Sequence, residues 1–150
     1  MRIHIGTDHA AFELKNFLVC KLIENGYEVI DHGAKSFDAL DDYPTFIIPT
    51  AQAVIADEDE ALGIVLGGSG NGEQIAANKV RGIRAILATN TDLARLGREH
   101  NNANCLAMGG RFVTEEQAWE IVQAFIATPF SGDERHIRRI DMLSAYEDER

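Results

Sequence analysis

The chain has 150 residues, 45% of them hydrophobic and 25% charged, with a formal net charge of −10. That is the size and make-up of one folded domain with its own core, not of a disordered segment. So acidic a surface repels nucleic acid and anionic membrane, which argues against both as partners, and any anionic ligand must be drawn in by a local cluster of basic side chains.

Arg2–Gly6 reads as a buried strand, and Ala10–Asn25 as a helix that Asn25-Gly26 stops. Tyr27–Asp31 is a second strand and His32–Asp42 a polar loop. Pro44–Ala56 reads as a helix with Pro49 inside it. Leu62–Leu66 is an apolar strand, followed by the loop Gly67-Gly68-Ser69-Gly70-Asn71-Gly72 and a helix over Glu73–Lys79. Ile83–Ala88 is a strand, Thr91–Glu99 a helix and Asn104–Met108 a fifth strand. Thr114–Thr128 is a helix with Thr114 and Gln117 as a capping box, ended by Pro129, and Gly132–Glu149 is a charged final helix. Trp119, Val122, Phe125 and Ile126 form a core stripe. The alternation of strands and helices predicts an open five-stranded parallel sheet covered on both faces, with ligands at the carboxyl ends of the strands.

Cys20 and Cys105 form no C-x-x-C pair and no zinc spacing, so a reduced, cytoplasmic setting is expected. The N-terminus enters a strand at once and shows no signal peptide, and no run of about 18 apolar residues would span a membrane.

Chemistry concentrates after the third strand. Four glycines in the six residues 67–72 let backbone N–H groups turn toward a ligand, and the next helix adds partial positive charge at its N-terminus. Glu73 follows in the first helical turn, where a glutamate is also favourable for helix stability alone. The dinucleotide fingerprint fails at Glu73, the P-loop lacks Gly-Lys-Ser/Thr, and the nucleophile elbow fails at Asn71. Asp8-His9, His100-Asn101 and Arg111 stand at further segment ends. Arg135 and Arg139, four residues apart, share a helix face suited to phosphate, or else pair with Asp133, Glu134 and Asp141. His4, within the strand, is read as an ordinary residue, and His32 and His136 as solvated. A metal site from Asp8, His9, His32, Asp41 and Asp42 matches no standard spacing, so no metal is expected.

Five blocks carry a resemblance: Gly6-Thr7-Asp8-His9-Ala10, Asp41-Asp42-Tyr43-Pro44, Gly68 through Lys79, Arg98 through Asn104, and Gly109-Gly110-Arg111. Together they resemble the type B ribose-5-phosphate isomerases, a family that also includes galactose-6-phosphate isomerase subunits. The resemblance covers essentially the whole chain as one sugar-phosphate isomerase domain. It implies a Rossmann-like fold, a small phosphorylated sugar as substrate, no cofactor or metal, and a homodimer or tetramer with active sites at the subunit interface. It further implies substrate binding by Asp8 and His9, and a Gly68, Ser69, Gly70, Asn71, Gly72 loop around the reacting end of the sugar. His100 would act in ring opening with Asp8, Asn101 would touch substrate, and Arg111, Arg135 and Arg139 would hold phosphate. Many members carry a catalytic Cys where this chain has Gly67. Glu73 matches a subgroup that uses a glutamate base instead, and Ala11 stands where relatives often have Gly. The implied reaction is aldose–ketose exchange between ribose 5-phosphate and ribulose 5-phosphate, with four-carbon erythrose or erythrulose phosphates and six-carbon allose or galactose 6-phosphates as alternatives. A nucleotide-binding stress-type module and a serine hydrolase using Ser69 and His100 are rival readings. The ending Gly109-Gly110-Arg111 and the failed elbow speak against them.

Overall fold

The computed structural model describes residues 1–150. Five strands, β1 (Arg2–Thr7), β2 (Glu28–Asp31), β3 (Ala61–Gly67), β4 (Ala85–Leu87) and β5 (Cys105–Gly109), pair in the order β2-β1-β3-β5-β4. Every pairing is parallel, with Ile3 beside Leu62 and Gly67 beside Gly109. This is the open parallel α/β architecture the alternation predicts. Six helices flank it: α1 (Phe12–Glu24), α2 (Pro44–Ala56), α3 (Asn71–Asn78), α4 (Thr91–Asn101), α5 (Glu115–Ala127) and α6 (Glu134–Asp148).

One sheet face buries Leu14, Leu18 and Leu22 of α1 with Ala94 of α4 and Ile121, Val122 and Phe125 of α5. The other packs Ile47, Ala51 and Val54 of α2 with Ala76 and Ala77 of α3. Such burial is the main stabilising term, at about 25 cal/mol per Å² of apolar surface removed from water. The central strands β3 and β5 are apolar throughout because both faces are covered.

Several boundaries differ from the sequence-based expectation for local reasons. A short 3-10 turn, His9–Ala11, precedes α1, with the Asp8 side chain accepting the Ala10 N–H. The fourth strand starts at Ala85 rather than Ile83, because the Asn104 and Asn78 side chains take the N–H groups of Arg84 and Ala85. The third helix starts at Asn71: Gly70, at φ 85°, closes the loop and its carbonyl accepts the Gln74 N–H. The last helix starts at Glu134 after Gly132 at φ 70°. Pro49 sits in α2 without breaking it; proline removes a single N–H there, and both Pro49 and Thr45, four residues back, face solvent. No helix is long and apolar enough to cross a membrane.

Candidate active site

The strand order reverses at β1, with β2 on one side and β3 on the other, which opens a crevice at the carboxyl ends of β1 and β3. The Thr7 hydroxyl donates to the Leu66 carbonyl at 3.0 Å and ties the two strand ends together. Asp8, nearly buried, follows at once and is held by its bond to Ala10.

The glycine loop is strapped to the end of β5. Gly110 N–H donates to the Gly67 carbonyl at 2.8 Å and Arg111 N–H to the Gly68 carbonyl at 3.1 Å. The Arg111 guanidinium lies against Gly68, where a Cβ would stand 3.1 Å from its Cζ. Ser69 is exposed, and its Oγ accepts the Asn71 N–H at 3.2 Å. Tyr43, from the Asp41–Pro44 block, packs against Gly72.

Glu73 is the third residue of α3 and only 4% exposed. Its carboxylate fills the space beside Gly67 where a side chain would otherwise begin; a Cβ at position 67 would collide with it. Burial pushes the Glu73 carboxyl above the usual glutamate range and the nearby Asp8 charge adds to this, while backbone N–H groups of Glu73 and Gly70 pull the other way. A buried carboxylate with raised proton affinity is suited to taking and returning a proton at neutral pH.

His9 stands on the same rim. Its Nδ1 lies 2.6 Å from Asp41 Oδ1, and its N–H donates to the same oxygen at 3.1 Å. Asp8, His9 and Asp41 each offer a ligand atom within 4.8 Å of the others, so these three are the residues that could hold a cation. The other two considered from sequence lie apart: Asp42 is exposed, and His32 bonds to His4 at 2.8 Å. His4 is the ordinary, hydrogen-bonded core residue expected of it. It is buried and also bonds to Asp57, whose carboxyl is held down at about 2, chiefly by its bonds to Arg2 and His4.

The structure gathers Asp8, His9, Gly68, Ser69, Gly70, Asn71, Gly72, Glu73 and Arg111, but not the remaining candidates. Helix α4 leaves the carboxyl edge at Thr91 and runs back along the sheet, so His100 lies about 14 Å down its axis. His100 and Asn101 therefore sit toward the opposite edge, with α6 beside them. The reading of His136 as solvated is corrected: it is buried, its Nδ1 is 2.7 Å from the Ser131 hydroxyl, and its ring stacks on His100 at 4.5 Å. His32 is half-buried rather than solvated. Arg135 and Arg139 are exposed on α6; Arg135 comes within 4.0 Å of Asp133, and Arg139 meets no carboxylate.

Neither thiol approaches the crevice. Cys105 is fully buried at the start of β5 and its thiol is pushed up to about 12, while Cys20 is exposed on α1. Sequence reasoning placed Asp41 only in the rejected metal set and gave Tyr43 no role beyond membership of a quoted block. That block, Asp41-Asp42-Tyr43-Pro44, was the available signal.

An open parallel sheet with a buried carboxylate in a glycine cradle, an arginine against the same loop and a histidine on the same rim has the groups of an enzyme that moves a proton on a small molecule. The chain belongs to the ribose/galactose isomerase family, whose model matches residues 3–143. It is 55% identical over 147 residues to the ribose-5-phosphate isomerase B of Mycolicibacterium paratuberculosis, covering 98% of this chain and 92% of that protein. It is 41% identical to the Escherichia coli ribose-5-phosphate isomerase B, covering 99% and 98%. Ribose-5-phosphate isomerase B from Mycoplasma genitalium, solved with bound ribulose-5-phosphate, superposes with a TM-score of 0.95 at 41% identity, over 99% of this chain and 97% of that one. The Clostridium thermocellum ribose-5-phosphate isomerase B superposes at 0.94 with 43% identity, over 99% of each chain.

Proposed function

We propose that this chain, as one domain over residues 1–150, interconverts ribose 5-phosphate and ribulose 5-phosphate with Glu73 as the base that moves the proton between adjacent carbons. Enediolate chemistry needs a base beside the carbon and donors for the developing oxyanion. Glu73 supplies the first. The 68–72 loop, with Ser69, supplies donors of the kind worth about 3–4 kcal/mol each in other enzymes. Arg111, with Arg135 and Arg139, takes the phosphate, Asp8 and His9 bind substrate beside it, and the binding energy of the phosphate orients the reacting end. No organic cofactor enters this scheme.

The observation that carries the reading is the Glu73 carboxylate seated beside Gly67. Members of the family with a thiol base hold their Cys at this position, so here the carboxylate occupies the volume that a thiol would need. This supports membership of the glutamate-base subgroup, as does the burial of Cys105, four residues below Gly109 on β5 and about 13 Å from the strand end.

His100 opens the sugar ring with Asp8, and Asn101, Arg135 and Arg139 complete the substrate contacts, in a homodimer whose partner subunit brings these four into the crevice. The separation of His100 from Glu73 within one chain supports this arrangement. The cytoplasm, where sugar phosphates circulate, is the proposed location. Glu73→Gln is expected to lower kcat by several orders of magnitude while ribose 5-phosphate still binds; near-normal turnover would overturn the assignment. A panel of four-, five- and six-carbon aldose phosphates tests the substrate, with the highest kcat/KM expected for the five-carbon sugar.

A further inference from the structure

Asp41 has no part in the scheme above, yet its surroundings are those of a working residue. Its side chain is nine-tenths buried, with 9% of its surface exposed. Oδ1 takes both the His9 ring nitrogen at 2.6 Å and the His9 N–H at 3.1 Å, while Oδ2 is buried and meets no donor. A carboxylate enclosed in this way keeps its charge only beside a compensating group. The imidazole of His9 is the group in contact with it. The bond fixes Nδ1 as the nitrogen facing Asp41 and leaves Nε2 for a ligand. Phe37 sets the ring edge-on at 6.1 Å.

We propose that Asp41 is a positioning residue that fixes the His9 ring and keeps it cationic, so that His9 and Arg111 together receive a phosphate monoester dianion. The proposal rests on the function set out above. The charged groups facing His9 agree with it. The Asp41 bond, the largest influence, holds His9 above the ordinary histidine value of 6.5; Asp8 acts in the same direction, and burial and Arg111 oppose. A group raised in this way is charged below its own midpoint and loses its charge as pH rises through it. Phosphate affinity therefore stays high to a more alkaline pH than a free imidazole would allow.

The test is NMR titration of the His9 ring in the unliganded wild-type protein and in Asp41→Asn, with calorimetry of inorganic phosphate binding and steady-state kinetics beside it. The wild-type midpoint is expected above 6.5. In Asp41→Asn the midpoint falls, phosphate binding near neutral pH weakens about tenfold, and KM rises with kcat held within about twofold. The double variant Asp41→Asn/His9→Gln binds phosphate no more weakly than His9→Gln alone. An unchanged midpoint, an additional loss in the double variant, or a collapse of kcat at constant KM would overturn the proposal. Should Asp41→Asn not fold, a wild-type midpoint at or below the free value does the same. If ribose 5-phosphate proves not to be turned over, titration and phosphate binding still decide the role of Asp41 separately.

Discussion

A hydrogen atom in place of a side chain at position 67 lets the Glu73 carboxylate reach the carboxyl edge of the sheet. Gly67→Ala places a methyl in that seat. It is expected to displace the carboxylate by about 1 Å and lower kcat about a hundredfold, with a stability loss of about 1–3 kcal/mol from overpacking. Wild-type turnover in steady-state assays would remove Gly67 from the account. Glu73 itself strains the fold. Because its folded pKa lies above the ordinary value of about 4.5, its stabilising contribution is present in acid and is lost as pH rises through the folded value. Above that folded value the ionised carboxylate therefore costs stability. Glu73→Gln should melt higher than wild type at pH 7, and thermal scans should show the gain shrinking toward pH 4. The glycine run and Glu73 were legible in the sequence because loop and helix start are local features. Their shared volume was not, because it depends on where β3 and α3 meet in space.

At the level of elements, the five strands and six helices were readable from apolar runs and stop signals, while Lys15 was not. It faces the core side of α1, 1% exposed, where the helical period alone would place an apolar residue. Its ammonium donates to Asp31 Oδ2 at 2.8 Å and to the Ala34 carbonyl at 2.6 Å, bracing the turn that leaves β2. The partners come from a segment 16 or more residues away, so no local pattern announces them. Asp31→Ala strands this cation and is expected to cost about 3 kcal/mol in urea unfolding, whereas Lys15→Met, of similar volume, costs far less. His136 escaped in the same way: its burial follows from the path of α6 beside α4, not from its neighbours in sequence.

Across the whole molecule, parallel topology sends each helix back from the carboxyl edge, so residues at opposite ends of one helix cannot serve one pocket. Glu73 begins α3 and His100 nearly ends α4. A site using both must join two copies, and a single chain read in one dimension shows only that both motifs are present. Mixing Glu73→Gln with His100→Asn under conditions that exchange subunits should restore about a quarter of wild-type activity, since half of the dimers are mixed and each carries one intact site. No recovery would place both residues in one subunit's site or outside it altogether. The seat at Gly67 has an outcome for chemical attack as well. With the only two sulfhydryls sealed in β5 or standing on the outer surface of α1, electrophiles that poison thiol-dependent catalysts have nothing to strike at the reaction centre. Iodoacetamide should modify Cys20, detectable as a mass increase, while ribose 5-phosphate continues to be consumed at the untreated rate, and the same tolerance should extend to peroxide.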